Sequence, residues 1–320
     1  MNAVMELNSL TKFYGKQRGI EDVSFSVGEG EIFGFIGPNG AGKSTTIRTL
    51  LALFEPTKGS AAIFGKDCVK YADVIARDIG YVPSEAAYYD NMKVRELLDY
   101  TGRLYAHSRV RRFGDPHGSH ERAGSQRAAS NSIRSDFRRK ADKLCQQLDL
   151  DQSRKIADLS FGNKKKVGIV SALLHSPKLI ILDEPTAGLD PLVQQRFFEI
   201  IKEENNNGST IFFSSHILSE VQKICGRVAI LKQGKLIGVQ AISELRESGF
   251  KRVYVTAKNV IPDGYFESDN IAEFKQAGDT ASFMYKGDVE TLFRKIASLG
   301  INDAFVEEPT LEEIFLHYYE

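Results

Sequence analysis

The stretch GPNGAGKS, residues 37–44, follows the apolar run EIFGFI (31–36) and leads into STTIRTLLALF (44–54). It fits the pattern G-x-x-x-x-G-K-[ST] in the setting that pattern needs, after a strand and at the start of a helix. Glycines let the backbone wrap around phosphates, Lys43 supplies a cation for the β and γ groups, and Ser44 is placed to ligate Mg²⁺. Downstream, Ile47, Leu50, Leu51 and Phe54 recur at i, i+3, i+4 and i+7. That spacing predicts a helix with one buried face, stopped by Pro56. The stretch therefore predicts a nucleoside triphosphate site.

Three later segments point to the same chemistry. LIILDEP (179–185) is a near-continuous apolar strand, as in a parallel sheet covered on both faces, and it ends in two carboxylates. Buried acids are costly unless they meet cations or protons. Asp183 is expected to hold Mg²⁺, directly or through water, and Glu184 to polarise an attacking water. STIFFSS (209–215) is a second apolar strand with His216 just beyond it, which predicts a γ-phosphate contact at the same sheet edge. LSFGNKKKVG (159–168) places Ser160 and Gly162 before a helix-like run. A small hydroxyl and free amides at a helix start make an anion site. This second anion site lies more than a hundred residues from the first.

The rest of the chain frames these segments. Residues 3–36 read as short β runs bounded by glycine. Helical patterns cover NMKVRELLDYTGRLY, RRKADKLCQQLDL, PLVQQRFFEIIKEE and ILSEVQKIC. Strands alternating with helices predict an α/β fold with a mostly parallel sheet, over about residues 1–238. Residues 239–320 change character and read as a small α+β domain. RVYVTAKN alternates as a half-exposed strand, DVETLFRKIASLG is amphipathic, and PTLEEIFLHYY begins a last helix with Thr310 and Glu313 at capping-box spacing. Between helical segments, at about 108–136, lies a basic insert. RVRRFGDPHGSHERAGSQRAASNSIRSDFRR holds eight arginines against Asp115, Glu121 and Asp136, with no apolar period. That composition predicts disorder. A basic contact for anionic lipid is the other reading, and His117 and His120 on such a loop make a poor metal site.

Bulk properties exclude several classes. Lysine plus arginine and aspartate plus glutamate each number 42, so no net charge draws the chain to nucleic acid. Cys68, Cys145 and Cys225 are far apart, without metal-ligand spacing, and read as reduced thiols. MNAVMELNSL lacks the basic start and apolar core of a signal peptide, and no apolar run nears the roughly 18 residues that span a bilayer. The expectation is a chain soluble by itself, so that any membrane crossing belongs to another chain.

In order along the chain, the phosphate loop, LSFGN, LDEPTAGLDP and SSHILSEV resemble the ATP-binding subunit of an ATP-binding-cassette (ABC) transporter over about residues 4–235. LSFGNKKKVGIV and the PTLEEIFLHYY ending are similar to the branch that exports drugs and antibiotics and pairs with separate membrane subunits. The resemblance implies the phosphate-loop ABC ATPase fold, with an antiparallel β subdomain and a helical subdomain. It implies ATP and Mg²⁺ as cofactors, a transmembrane permease subunit as partner, and a second ABC ATPase subunit in a homodimer or heterodimer. It also implies a position on the inner face of the cell membrane, held through the permease, and no nucleic-acid partner. Residue by residue, Tyr14 would stack on adenine, and Gly37, Asn39, Gly40, Gly42, Lys43, Ser44 and Thr45 would hold phosphates and metal. Asp183 matches the magnesium-associated acid, Glu184 the general base and His216 the switch histidine. Ala187, Gly188, Leu189 and Asp190 would meet the second subunit, whose site LSFGN completes.

Two departures stand out. Ser84 and Glu85 occupy the place after IGYVP where the family usually has a glutamine, and Phe161 and Asn163 replace the usual Gly and Gln of the signature. A GTPase is disfavoured because NKKK (163–166) lacks the guanine-reading aspartate. The alternative is a non-transport ABC ATPase acting on nucleic acid or the ribosome. It would bring a coiled coil between Ser84 and Ser160, or a second cassette, and neither is seen.

Overall fold

The computed structural model describes residues 2–85, 87–113, 122–246, 250–266, 268, 270–307 and 309. These fall into two compact units, Met1–Val239 and Gln240–Glu320.

In the first unit, β1 (Ala3–Tyr14), β2 (Gln17–Gly28) and β3 (Ile32–Ile36) precede α1 (Lys43–Leu50). Then come β4 (Lys58–Ile63), β5 (Lys66–Asp67), the short α2 (Ala72–Ile75) and β6 (Ile79–Val82). Two long helices follow, α3 (Val94–Phe113) and α4 (Arg122–Gln147), then α5 (Phe161–Leu173) and β7 (Leu179–Asp183). α6 (Pro191–Asn206), β8 (Thr210–Ser215), α7 (Leu218–Ile224), β9 (Arg227–Lys232) and β10 (Lys235–Ala241) complete the order.

Two sheets result. One has the order β2-β1-β4-β5 and pairs antiparallel; the other has the order β10-β9-β3-β8-β7-β6. In the second sheet β9, β3, β8, β7 and β6 pair in parallel. Every residue of β7 and β8 is buried, which explains why LIILD and TIFFSS read as unbroken apolar runs rather than as alternation. Phe25 of the antiparallel sheet stacks on Phe33 of the parallel one at 5.4 Å and on Phe212 at 6.0 Å. This aromatic layer joins the two sheets in one core.

The parallel strands bring three loops to one edge. Asp183 ends β7 in register with Ser214 of β8, and Ile36 ends β3 in register with Ser215. The phosphate loop, the two acids and His216 all leave the carboxyl ends of adjacent strands, where ligands bind in sheets of this kind.

One expectation is corrected here. The backbone is helical through 108–113 and 122–136, most of the basic insert that the composition marked as disordered. Alanine, arginine and glutamine are good helix formers, and extending a helix already nucleated at 94–107 or 137–147 adds one hydrogen bond per residue without needing an apolar face. Residues 114–121, with His117 and His120, lie outside the described residues.

In the second unit, α8 (Ile242–Arg246) precedes β11 (Phe250–Ala257), β12 (Ile271–Ala277), β13 (Thr280–Lys286), α9 (Val289–Ser298) and β14 (Ile301–Glu307). The antiparallel order is β12-β13-β11-β14, around a core of Val253, Val255, Phe266, Phe283, Leu292 and Ile296. Asp288 caps α9 by accepting from Thr291 N–H at 2.8 Å. The last helix expected from PTLEEIFLHYY lies outside the described residues.

Candidate functional site

Lys43 is the first residue of α1, and Gly42 caps that helix in a left-handed conformation at φ 107°. The Lys43 side chain is 6% exposed, and its ammonium donates to the carbonyls of Gly37 at 2.7 Å and Pro38 at 3.3 Å. It also lies 3.1 Å from Glu184 Oε1. The cation is thus curled back into its own loop, facing the acid that ends β7.

Asp183 is fully buried. Its Oδ1 accepts from Ser214 Oγ at 2.9 Å and from Ser44 Oγ at 3.2 Å, whereas Oδ2 has no hydrogen-bond partner. A buried carboxylate oxygen without a donor calls for a cation. Ser44 Oγ and the free Asp183 oxygen fit Mg²⁺, which takes oxygen ligands from one or two side chains and completes its shell with water and phosphate. Among the described residues no cluster of three or more His, Cys, Asp or Glu forms a cage for a metal by itself.

Glu184 adopts φ 49°, unusual for a residue with a side chain. Its N–H is held by the Ser214 carbonyl at 3.2 Å and by Ser214 Oγ at 3.3 Å. This turn directs the carboxylate between two partners: Oε1 faces Lys43, and Oε2 is 2.7 Å from His216 Nδ1. His216 is 42% exposed, so one side of the group is open to solvent. Lys43, Ser44, Asp183, Glu184 and His216 therefore meet in one site, from three separate parts of the chain.

The other expected residues are placed around or apart from it. Tyr14 is 42% exposed, packs edge-on against Phe54 at 5.7 Å, and has its hydroxyl 3.4 Å from Thr45 Oγ1. Gly37 ends the β3 approach, Asn39 is exposed, and Gly40 has φ 78°. Ser160 and Gly162 make their contacts elsewhere. Ser160 caps α5, its Oγ accepting from Asn163 N–H at 3.3 Å. Gly162 lies so close to the loop after β7 that a Cβ there would sit 2.4 Å from the Gly188 carbonyl oxygen. Asp190 caps α6, accepting from Val193 N–H at 3.0 Å.

Sequence reasoning missed Lys165. Its side chain is 4% exposed, and its ammonium donates to the carbonyls of Pro83 at 2.9 Å and Ser84 at 2.7 Å. The signal was present but weak: a lysine inside the apolar-periodic run KKKVGIVSALL, where a run of like charges reads as a solvated face.

A phosphate loop, an acid pair and a histidine at one edge of a parallel sheet define a nucleoside triphosphatase of the phosphate-loop class. Comparison with known proteins narrows this. A family model described as ABC transporter matches residues 20–187. The bacitracin transport ATP-binding protein BcrA of Bacillus licheniformis is 31% identical over 99% of this chain and 97% of its own length. The linearmycin resistance ATP-binding protein LnrL of Bacillus subtilis is 28% identical over 98% of this chain and 97% of its own. A solved structure of the ATP-binding subunit of an ABC transporter superposes with a TM-score of 0.64, at 30% identity, over 76% of this chain and 92% of that one. The chain belongs to the ABC transporter family and is an ATP-binding, ATP-hydrolysing subunit of that family.

Proposed function

We propose that this ATPase powers a separate transmembrane permease that exports a drug, antibiotic or similar small molecule, with two cassettes closing over ATP. The relatives named for bacitracin transport and linearmycin resistance align over nearly the whole chain, the second unit included, which supports the export reading. No helix among the described residues is long and apolar enough to cross a membrane, so the passage itself would be formed by a partner. Attachment would then be peripheral, on the inner face of the cell membrane.

The observation that carries the chemistry is the Glu184 carboxylate, held between Lys43 and His216. In the proposed reaction Lys43 leaves its carbonyl partners for the β and γ phosphates. Ser44 and Asp183 would hold Mg²⁺, which supplies charge neutralisation on the phosphates when bound. Glu184 orients a water and takes its proton as the water oxygen bonds to the γ-phosphorus and the bond to the bridging oxygen breaks. His216 fixes the Glu184 carboxylate and reaches the γ-phosphate from its exposed side. Tyr14, beside Thr45, offers a ring face for adenine. Ser160 and Gly162 serve the phosphates of the second cassette.

Co-purification of the tagged chain from detergent-solubilised membranes tests the assignment. The expected companion is one integral membrane chain with about six spans, each long enough by the usual length criterion. Recovery with ribosomes or nucleic acid, and no such chain, would overturn it.

A further inference from the structure

Lys165 takes no part in the chemistry above, yet it is more deeply buried than Lys43. It sits one turn into α5, the helix that starts at the signature. Its ammonium reaches across to the loop after β6, where two carbonyls, of Pro83 and Ser84, accept from it at 2.9 and 2.7 Å. Burial draws its pKa below the ordinary lysine range, while the carboxylates of Asp183, Glu184 and Glu85 oppose that shift. The ammonium therefore lies in the field of both site acids.

A second contact ties the same loop to the same helix. Tyr88 is half-buried, its phenol pushed up to about 12 by desolvation, and its hydroxyl lies where a Cβ on Gly168 would approach to 2.5 Å. Residues 165 and 168 are three apart on α5 and so share one face. The loop is thus fastened at two points, one polar and one packed. A well-packed apolar residue would hold α5 in place without the desolvation that a buried ammonium carries.

We propose that Lys165 is a positioning residue that clamps the 83–85 loop to the signature helix, so that loop and helix answer nucleotide as one body. The inference rests on the reading of Lys43, Asp183 and Glu184 as the nucleotide site.

The chain has no tryptophan, so Tyr89→Trp places a single reporter at a 63% exposed position next to Tyr88. The full chain with this reporter is titrated with a non-hydrolysable ATP analogue, and binding is measured separately by equilibrium dialysis. The reporter's emission is expected to change on binding. With Lys165→Met added, binding should stay within about twofold, the emission change should vanish, and kcat should fall about tenfold at similar KM. Lys165→Arg, which keeps the charge, should restore part of both. An unaltered emission change with kcat within about twofold of the parent overturns the clamp, as does equal loss in the arginine and methionine variants. If the methionine variant does not unfold cooperatively, Lys165→Gln carries the test with the same readings. Failure of the Tyr89→Trp parent to bind nucleotide would instead overturn the nucleotide-site reading.

Discussion

Lys43 Nζ and Glu184 Oε1 face each other at 3.1 Å, yet the carboxylate oxygen receives no aligned hydrogen bond from the ammonium, which donates to the Gly37 and Pro38 carbonyls. The contact is a Coulombic one between two largely buried side chains. It gives the two residues opposite outcomes on substitution. Lys43→Ala removes the cation that phosphates need and should abolish tight ATP binding. Glu184→Gln keeps shape and removes the proton acceptor, so ATP should bind while hydrolysis slows by about 10² or more. Phosphate release and equilibrium dialysis read the two effects, and wild-type turnover in the glutamine variant would remove Glu184 from the mechanism.

His216 touches the same carboxylate through Nδ1, at 2.7 Å, while remaining partly exposed. His216→Ala should therefore lower kcat by about 10² and leave KM nearly unchanged, because ground-state phosphate binding rests on the loop and Lys43. A raised KM with unchanged kcat would show that the ring binds ATP rather than acting in the reaction.

Much of this site was legible because each part is a local pattern. GPNGAGKS needs only its own strand and helix to be read, and LIILDEP and STIFFSS announce buried parallel strands by their unbroken apolar runs. What stayed hidden depends on contacts between distant residues. The Lys165 clamp joins positions 81 and 82 residues apart, and the left-handed turn at Glu184 is fixed by Ser214 on a neighbouring strand. The extended α3 and α4 were missed for another reason. Period reading detects a buried face, and a helix that continues without one leaves no such trace.

Burial pushes the Cys68 and Cys145 thiols from the ordinary 9.0 up to about 12, and the Tyr81 and Tyr88 phenols from 10.0 to about 12; the Cys225 thiol also moves upward. The folded chain keeps these protons where the unfolded chain gives them up. Stability from these groups is thus complete below pH 9.0 and is lost as pH rises toward about 12. Thermal melts should hold steady through neutral pH and fall on the alkaline side. Iodoacetamide should label the thiols slowly until denaturant is added. Fast labelling of the native chain would contradict the burial of all three.

Gly162 and Gly188 meet backbone to backbone, and a Cβ on Gly162 would lie 2.4 Å from a carbonyl oxygen that cannot swing aside as a side chain would. Gly162→Ala should displace the loop of Ala187 to Asp190. Turnover is expected to fall about tenfold, ATP binding to a single cassette to persist, and the melting temperature to drop by a few degrees. Unchanged turnover would show that this contact is not used in catalysis.

The separation of Ser160 from the phosphate loop yields the sharpest test of two-cassette function. Ser160 caps its own helix and Gly162 rests on Gly188, so neither is engaged with Lys43 or Asp183 in the described structure. Their anion-site chemistry is then free for phosphates brought by a second copy. Two differently tagged variants, Lys43→Ala and Ser160→Arg, are mixed, each also carrying Glu184→Gln to slow turnover, and the doubly tagged dimer is isolated. If the signature acts across the interface, one site collects both lesions and the other is wholly intact. If it acts within its own chain, each site carries one lesion and neither closes. The expected result is about one trapped nucleotide per mixed dimer, against two for the Glu184→Gln dimer without further change, since only a completed site retains it. Occlusion is the better readout than turnover, because strict coupling between sites would silence even an intact one. Zero trapped nucleotide in the mixed dimer, with two in the control, would place the signature in its own chain's site.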